Sequence, residues 1–220
     1  MNNFFIIVAG GSGSRMGASV PKQFLELKGK PILLHTLEKF YSFDQNAEII
    51  IALPFSEFEY WKSLCEKHSV KIPHLLSEGG KNRFESVKKA LNKLSGYGIV
   101  CIHDGVRPLV SHTVIERCID SAKKNGCAIP IRSVEESIRE IIDNDSRIAN
   151  RDNFKIVQTP QCFKSDIILK AYQQNYSTNF TDDASVVESF GHKISLVNGN
   201  KENIKITTPE DLVIADSYLK

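Results

Sequence analysis

Several things are missing from this chain, and each absence excludes something. The five cysteines (Cys65, Cys101, Cys118, Cys127 and Cys162) are odd in number and include no C-x-x-C pair. That excludes a zinc ribbon, argues against a disulfide framework and predicts a reducing compartment. No apolar run approaches the length of a membrane span, and no signal-peptide pattern precedes the first expected strand. Basic residues are dispersed and the net charge is only +2, so charge gives no case for nucleic acid or an anionic membrane as partner. The expectation is a cytoplasmic protein. Repeats, low-complexity tracts and Pro/Gly/Ser-rich linkers are absent too, so residues 1–220 read as one domain. At 41% hydrophobic and 25% charged residues, the composition is that of an ordinary globular enzyme.

What is present is an alternation of short β-rich runs with amphipathic stretches, the pattern of a mostly parallel α/β sheet flanked by helices. Strands are expected at 4–9, 48–53, 72–76, 98–102, 127–131, 155–158 and 193–197. Helices are expected at 32–43, 56–68, 82–94, 111–124, 164–174, 182–190 and 209–219, with Pro31, Pro54, Pro108 and Pro209 at helix entries. Residues 132–154, "RSVEESIREIIDNDSRIANRDNF", break the alternation. They read as a β-hairpin arm projecting from the sheet, and a hairpin that is marginal alone predicts docking on a second subunit.

The first motif is "IIVAGGSGSRMGASVPKQF", Ile6 to Phe24. It is not a Walker A loop, since no Gly-Lys-Ser/Thr follows at the required spacing. It is not a dinucleotide fingerprint either, because Met16 stands where the third glycine belongs. What remains is a glycine turn (Gly10, Gly11, Gly13) whose amides can cradle phosphates, with Arg15 and Lys22 as full charges. In "IHDGVRPLVS", Asp104 and Arg107 follow an apolar strand, at the strand end where open α/β sheets collect ligands. A carboxylate there can hold Mg²⁺ bound to phosphates, whereas His103 reads as a satisfied structural residue.

"GGKNRFESV" is a second glycine turn opening a helix, with Ser86 and the amides near a nucleobase edge and Arg83 within reach of phosphate. "VQTPQCF" offers Thr159 after a strand, preceded by Arg151. "NIKITTPEDL" is expected to end a strand that carries Lys205 at its rim, and "TDDAS" reads as a helix N-cap. No Ser/His/Asp set, reactive-cysteine signature or metal-ligand cluster occurs. Several separated cations around one strand-end acid suit two phosphorylated ligands and phosphoryl-type transfer by positioning and charge.

In this order, "AGGSGSRMG…PKQF", "GG…R…SV", "HDGVRP", "QTPQCF", "TDDAS" and "NIKITTPEDL" resemble the 2-C-methyl-D-erythritol 4-phosphate cytidylyltransferases of the non-mevalonate isoprenoid pathway, from Ile6 to about Ala215. The resemblance implies a Rossmann-like nucleotidyltransferase fold, a homodimer formed through the β-arm, and CTP and a phosphorylated polyol as substrates. It implies that Arg15 and Lys22 stabilise the transition state at the α-phosphate of CTP. Arg151, from the partner's arm, and Lys205 would position the attacking 4-phosphate. Ala9, Gly10, Gly80, Lys81 and Ser86 would line the cytidine pocket. Asp104, Gly105, Arg107 and Thr159 would hold the sugar phosphate, with Asp104 also near Mg²⁺. The chain departs from the pattern in three places. "HDGVRP" replaces the commoner "HDAARP", Glu136-Ser137 stands where Asp-Thr is frequent, with Ser137 as the corresponding ligand, and Lys81 replaces a frequent acid.

Three other functions compete with this one. A ribitol-5-phosphate cytidylyltransferase shares most of these motifs, although "NRDNFKIVQTPQ" keeps the arginine spacing of the methylerythritol enzymes. A nicotinamide oxidoreductase would need the displaced third glycine and an acid ending its second strand. A non-catalytic nucleotide-sensing domain would not need four cations at separate strand ends.

Overall fold

The structure, a computed structural model, describes residues 1–11, 20–143 and 145–219. Its strands are β1 (Asn2–Val8), β2 (Glu26–Leu27), β3 (Lys30–Pro31), β4 (Glu48–Leu53), β5 (Leu75–Glu78), β6 (Gly98–Asp104), β7 (Cys127–Ser133), β8 (Ile138–Ile142), β9 (Asp145–Ala149), β10 (Lys155–Val157), β11 (Gln161–Lys164) and β12 (Ser195–Asn198). The α-helices are α1 (Ile32–Phe43), α2 (Phe58–Lys67), α3 (Arg83–Leu91), α4 (His112–Asn125), α5 (Ser165–Ala171), α6 (Asp183–Ser189) and α7 (Pro209–Tyr218). The main sheet runs β10-β7-β11-β6-β1-β4-β5, with β12 also pairing β7.

Four pairings (β1 with β4 and β6, β4 with β5, β12 with β7) are parallel, whereas β10 and β11 run antiparallel to their neighbours. The expected mixed, mostly parallel sheet is therefore present. The expected strand at 72–76 lies at Leu75–Glu78 instead, and β11 falls in a stretch expected to continue as loop and helix.

Burial on both faces explains the apolar runs, and the two-residue period of a strand sorts them. Phe5, Ile7, Ile49, Ile51, Leu53, Ile99 and Cys101 pack on one face beneath α1, α2 and α4. Their neighbours Phe4, Ile6, Ile50, Ala52, Val100 and Ile102 pack on the other beneath α3, α5 and α6. Cys101, Cys118 and Cys162 all lie in the first layer, and Cys162 sits opposite Cys101 in the β11–β6 register. A third cluster joins Leu27, Ile32, Val106, Ile206 and Ala215, and it anchors the C-terminal segment near the end of β6.

Helix starts follow their capping residues. Asn82 accepts from the Glu85 amide ahead of α3, and Ser111 from that of Val114 ahead of α4. Asp182 with Ser185, and Thr208 with Asp211, form capping boxes before α6 and α7. Pro108 lies in the turn after β6, short of the α4 cap it was expected to open. Residues 203–207 form no strand, which corrects the expectation for "NIKITT". They are held by irregular bonds, such as Ile206 N–H to Val106 O at 2.9 Å. β8 and β9 form a separate two-stranded hairpin within the segment expected to be an arm.

Candidate active site

The parallel strands β1, β4, β5 and β6 deliver their carboxyl ends to one edge, and Val8 stands opposite Asp104 in the β1–β6 register. Two cavities open there. The larger, about 310 Å³, is bounded by the end of β1 (Ala9, Gly10, Gly11), by Lys22 and by the start of α3 (Gly80, Lys81, Ser86). The smaller, about 170 Å³, is bounded by Arg107, Gln158, Thr159 and Asp182. Arg83, Asp104 and Lys205 belong to both. Cations thus dominate a surface with room for two ligands, side by side.

Asp104 is the centre of charge. Arg107 Nε and Lys205 Nζ each lie 3.1 Å from its Oδ2, while Oδ1 faces Arg83 Nε at 3.7 Å. Burial alone would raise the pKa of this carboxyl, but Arg83, Lys205 and Arg107 outweigh it and hold the group well below the usual carboxylate range. Asp104 is therefore an anion throughout the physiological range and has no use as a general acid or base. Among the described residues Oδ1 accepts no hydrogen bond and no group of three or more metal-ligating side chains occurs. A carboxylate oxygen that accepts no hydrogen bond, with Arg83 Nε no nearer than 3.7 Å, fits Mg²⁺, which takes one or two protein carboxylates and completes its shell with phosphate oxygens and water.

Lys205 owes its place to buried neighbours. Ile206 and Asn203 are fully buried. Asn203 donates to Thr159 O at 2.8 Å and accepts, through its carbonyl, from Arg107 Nη1 at 2.9 Å. The lysine between them projects over Asp104 with its side chain 41% exposed. It is therefore more than the edge-strand cation its position in the sequence suggests.

His103 is fully buried and satisfied, as expected of a structural residue. The carbonyl of Arg107 can only accept, so His103 Nε2, 3.0 Å away, carries the proton. Nδ1 then accepts from the Thr159 hydroxyl at 2.9 Å, and Thr159 Oγ1 in turn accepts from the Asp104 amide at 3.2 Å. Burial lowers the His103 pKa to about 4, so the ring stays neutral and the tautomer is fixed. Thr159 has its one proton committed to His103 and can only accept from a ligand.

On the other side of the larger cavity, the Ser86 hydroxyl donates to Asn82 O and accepts from the Gly80 amide, both at 2.9 Å. A side chain on Gly80 would strike Glu85, so the turn requires glycine. Gly105 is closed in as well. A Cβ there would lie 2.9 Å from that of Ala9 and 3.1 Å from Leu33 Cδ1, which accounts for glycine in "HDGVRP". Its amide bonds to Val8 O and its carbonyl to Thr36, and it lines neither cavity. Arg83, expected to reach phosphate, has both terminal nitrogens engaged by Asp183 at 2.8 and 2.6 Å.

Ser137 and Arg151 line neither cavity of their own chain. They flank a groove of about 440 Å³ on the arm with Ile138, Ile148, Ala149 and Asn150. Gly13 and Arg15 lie outside the described residues. The sequence reading missed Gln23 and Asn82 in the larger cavity and Gln158, Thr181 and Asp182 in the smaller. Asn82 and Asp182 carried a signal as caps, and the same turns that start α3 and α6 also line the two cavities.

Comparison with known proteins agrees with this geometry. The model of the IspD family, 2-C-methyl-D-erythritol 4-phosphate cytidylyltransferase, matches residues 4–220. A protein of Bacteroides fragilis named 2-C-methyl-D-erythritol 4-phosphate cytidylyltransferase is 49% identical over 214 residues, covering 97% of this chain and 98% of that one. Among solved structures, 4-diphosphocytidyl-2C-methyl-D-erythritol synthase from Anaerococcus prevotii aligns with a TM-score of 0.83 at 30% identity, over 99% of this chain and 96% of that one. The Francisella tularensis 2-C-methyl-D-erythritol 4-phosphate cytidylyltransferase aligns with a TM-score of 0.82 at 32% identity, over all of both chains.

Proposed function

Since the chain belongs to the 2-C-methyl-D-erythritol 4-phosphate cytidylyltransferase family of the non-mevalonate isoprenoid pathway, we propose that the two cavities hold CTP and methylerythritol phosphate. The observation that carries this assignment is the shared wall of Arg83, Asp104 and Lys205 between them. A nucleotide in the larger cavity lies along the end of β1, with its phosphates towards Gly11 and Lys22. The polyol phosphate fills the smaller cavity, where Thr159 accepts from a substrate hydroxyl and Arg107 and Lys205 face the phosphate.

The attacking group is the 4-phosphate itself. With a second pKa near ~6 it is already ionised at neutral pH, so no side chain has to remove a proton. Its oxygen bonds to the α-phosphorus of CTP, the bond to the β-phosphate bridge breaks, and pyrophosphate leaves with that electron pair. Lys22 and Arg15 offset the charge that builds up at phosphorus. Lys205 moves from Asp104 to the attacking phosphate and holds it in line. A divalent cation, Mg²⁺, held by Asp104 Oδ1 and the nucleotide phosphates, would neutralise charge on the triphosphate.

The catalytic unit is the whole chain acting as a homodimer. Ile141 and Ile148 on the arm are 72% and 80% exposed, apolar surface that a second copy would cover. That arrangement would also carry Arg151 to the neighbouring subunit's site. Among the described residues no helix is long and apolar enough to cross a membrane.

The test is pyrophosphate release from CTP with methylerythritol phosphate and ribitol phosphate in parallel. Preferential turnover of the first is expected. Preference for ribitol phosphate would reassign the smaller cavity, and no release with either would leave a nucleotide-binding domain.

A further inference from the structure

The oxygens of Asp104 are unequal because Arg83 stops short of one of them. Its Nε stands 3.7 Å from Oδ1, although the side chain borders both cavities. The reason lies at Asp183, 100 residues further along and fully buried in the first turn of α6. Both its oxygens take the arginine fork, at 2.8 and 2.6 Å, and Oδ1 accepts a further bond from the Tyr172 hydroxyl at 2.6 Å. The Tyr172 ring stacks on Phe84, next to Arg83, with centroids 4.7 Å apart and planes 15° from parallel, which fixes the assembly from the side.

Fold stability is a weak reason for such a pair. Burying two charges costs several kcal/mol before their attraction repays it, and well-packed apolar residues often do as well or better. Its location is more informative. The pair adds no net charge to the wall between the cavities, and it leaves open the carboxylate oxygen that suits a cation.

We propose that Asp183 is a positioning residue for the metal–nucleotide complex: by occupying the fork of Arg83 it keeps that guanidinium from closing on Asp104 Oδ1. This rests on the reading of Asp104 as the metal-holding carboxylate. Without the negative charge at 183, the Arg83 guanidinium, whose Nε already stands 3.7 Å from Oδ1, is drawn onto that oxygen as its remaining carboxylate partner. The wall would then carry three full cations against one acid, and a divalent ion would have to displace a charged partner.

The experiment is a Mn²⁺ titration followed by electron paramagnetic resonance in the presence of CTP, which reads metal binding without turnover. For Asp183→Asn, Mn²⁺ affinity is expected to fall about 10- to 100-fold, the worth of a charge-assisted hydrogen bond. The double variant Asp183→Asn/Arg83→Gln restores neutrality and removes the competing guanidinium, so its affinity should return close to wild type. An Asp183→Asn protein that binds Mn²⁺ normally overturns the proposal. So does a double variant as weak as the single one, since a purely structural role predicts no rescue.

Asp104→Asn separates the two readings. If it binds Mn²⁺–CTP as tightly as wild type, the assignment of Asp104 fails and takes this proposal with it. If Asp104→Asn is weak while Asp183→Asn is normal, only the role of Asp183 fails. Should Asp183→Asn not fold, Tyr172→Phe removes one of the three bonds that fix the Asp183 carboxylate and so loosens its hold on the Arg83 fork. It should weaken Mn²⁺ binding roughly 2- to 10-fold, and unchanged binding overturns the proposal.

Discussion

Lys22 and Lys205 border the same cavity, yet the chemistry asks different things of them. If Lys22 faces the charge that builds at phosphorus only in the transition state, as proposed, Lys22→Ala should lower kcat far more than it weakens CTP binding. A loss of ~10²–10³-fold in turnover is typical for one such contact. Near-normal kcat with only a raised KM for CTP would remove it from that role. Lys205 is held over Asp104 by Ile206 and Asn203, so Lys205→Ala should leave the fold intact. Calorimetry should then show CTP affinity near wild type and polyol-phosphate binding lost. A variant that binds both ligands normally would return Lys205 to a surface role. Lys205 was legible in the sequence as a motif position but not as a partner of Asp104. Nothing local signals a pairing across 101 residues that irregular backbone, not a strand, brings about.

At the scale of elements, the arm is the feature with a consequence for assembly. Ser137 and Arg151 share its groove and stand apart from the two cavities of their own chain. If Arg151 completes the neighbour's site, mixing inactive Arg151→Ala with inactive Lys22→Ala protein should restore activity. Mixed dimers would then contain one site built from intact Lys22 and intact Arg151. No recovery after verified subunit exchange would rule out sharing.

The elements differed in how far the sequence revealed them. The bounds of α1 and β4 could be read off because a proline precedes the one and the other is the unbroken apolar run Ile49–Leu53 behind Glu48. β5 starts three residues later than the strand expected at 72–76, where pairing with β4 runs through to Glu78 beside the glycine turn. β11 was hidden because Gln161–Lys164 is short and carries polar ends, and its strand character comes from β6 and β7 on either side. The bond between Arg83 and Asp183 was invisible for a similar reason, since each was legible only as part of its own helix start.

Taken as a whole, the molecule should lose stability in mild acid. His103 stays neutral when folded, with its pKa lowered by burial to about 4 from 6.5. Between those values the unfolded chain binds a proton that the folded chain refuses, so stability falls as pH drops from 6.5 towards 4. The loss is at most ~3 kcal/mol at 1.36 kcal/mol per pKa unit. Asp104 adds to it at lower pH. Its folded pKa is depressed, so its contribution is complete above the ordinary carboxylate pKa and fades as pH falls through the folded value. Melting curves from pH 7 to 4 should show the decline, and His103→Asn should flatten it. A flat wild-type profile would contradict the placement of His103. The buried thiols give the same molecule a clock. Cys101, Cys118, Cys127 and Cys162 are at most 1% exposed; Cys101, Cys162 and Cys127 sit on β6, β11 and β7, the seam where the antiparallel strands join, and Cys118 of α4 packs in the layer over it. Burial, and then the thiols of Cys101 and Cys118, push the pKa of Cys162 far up, so its reactive thiolate is scarce until the seam parts. An alkylating reagent should therefore mark half-exposed Cys65 early and the other four only at the tempo of opening. If those four are marked together, the two halves of the sheet come apart as one cooperative unit; if Cys127 and Cys162 run ahead of Cys101, the antiparallel side loosens first.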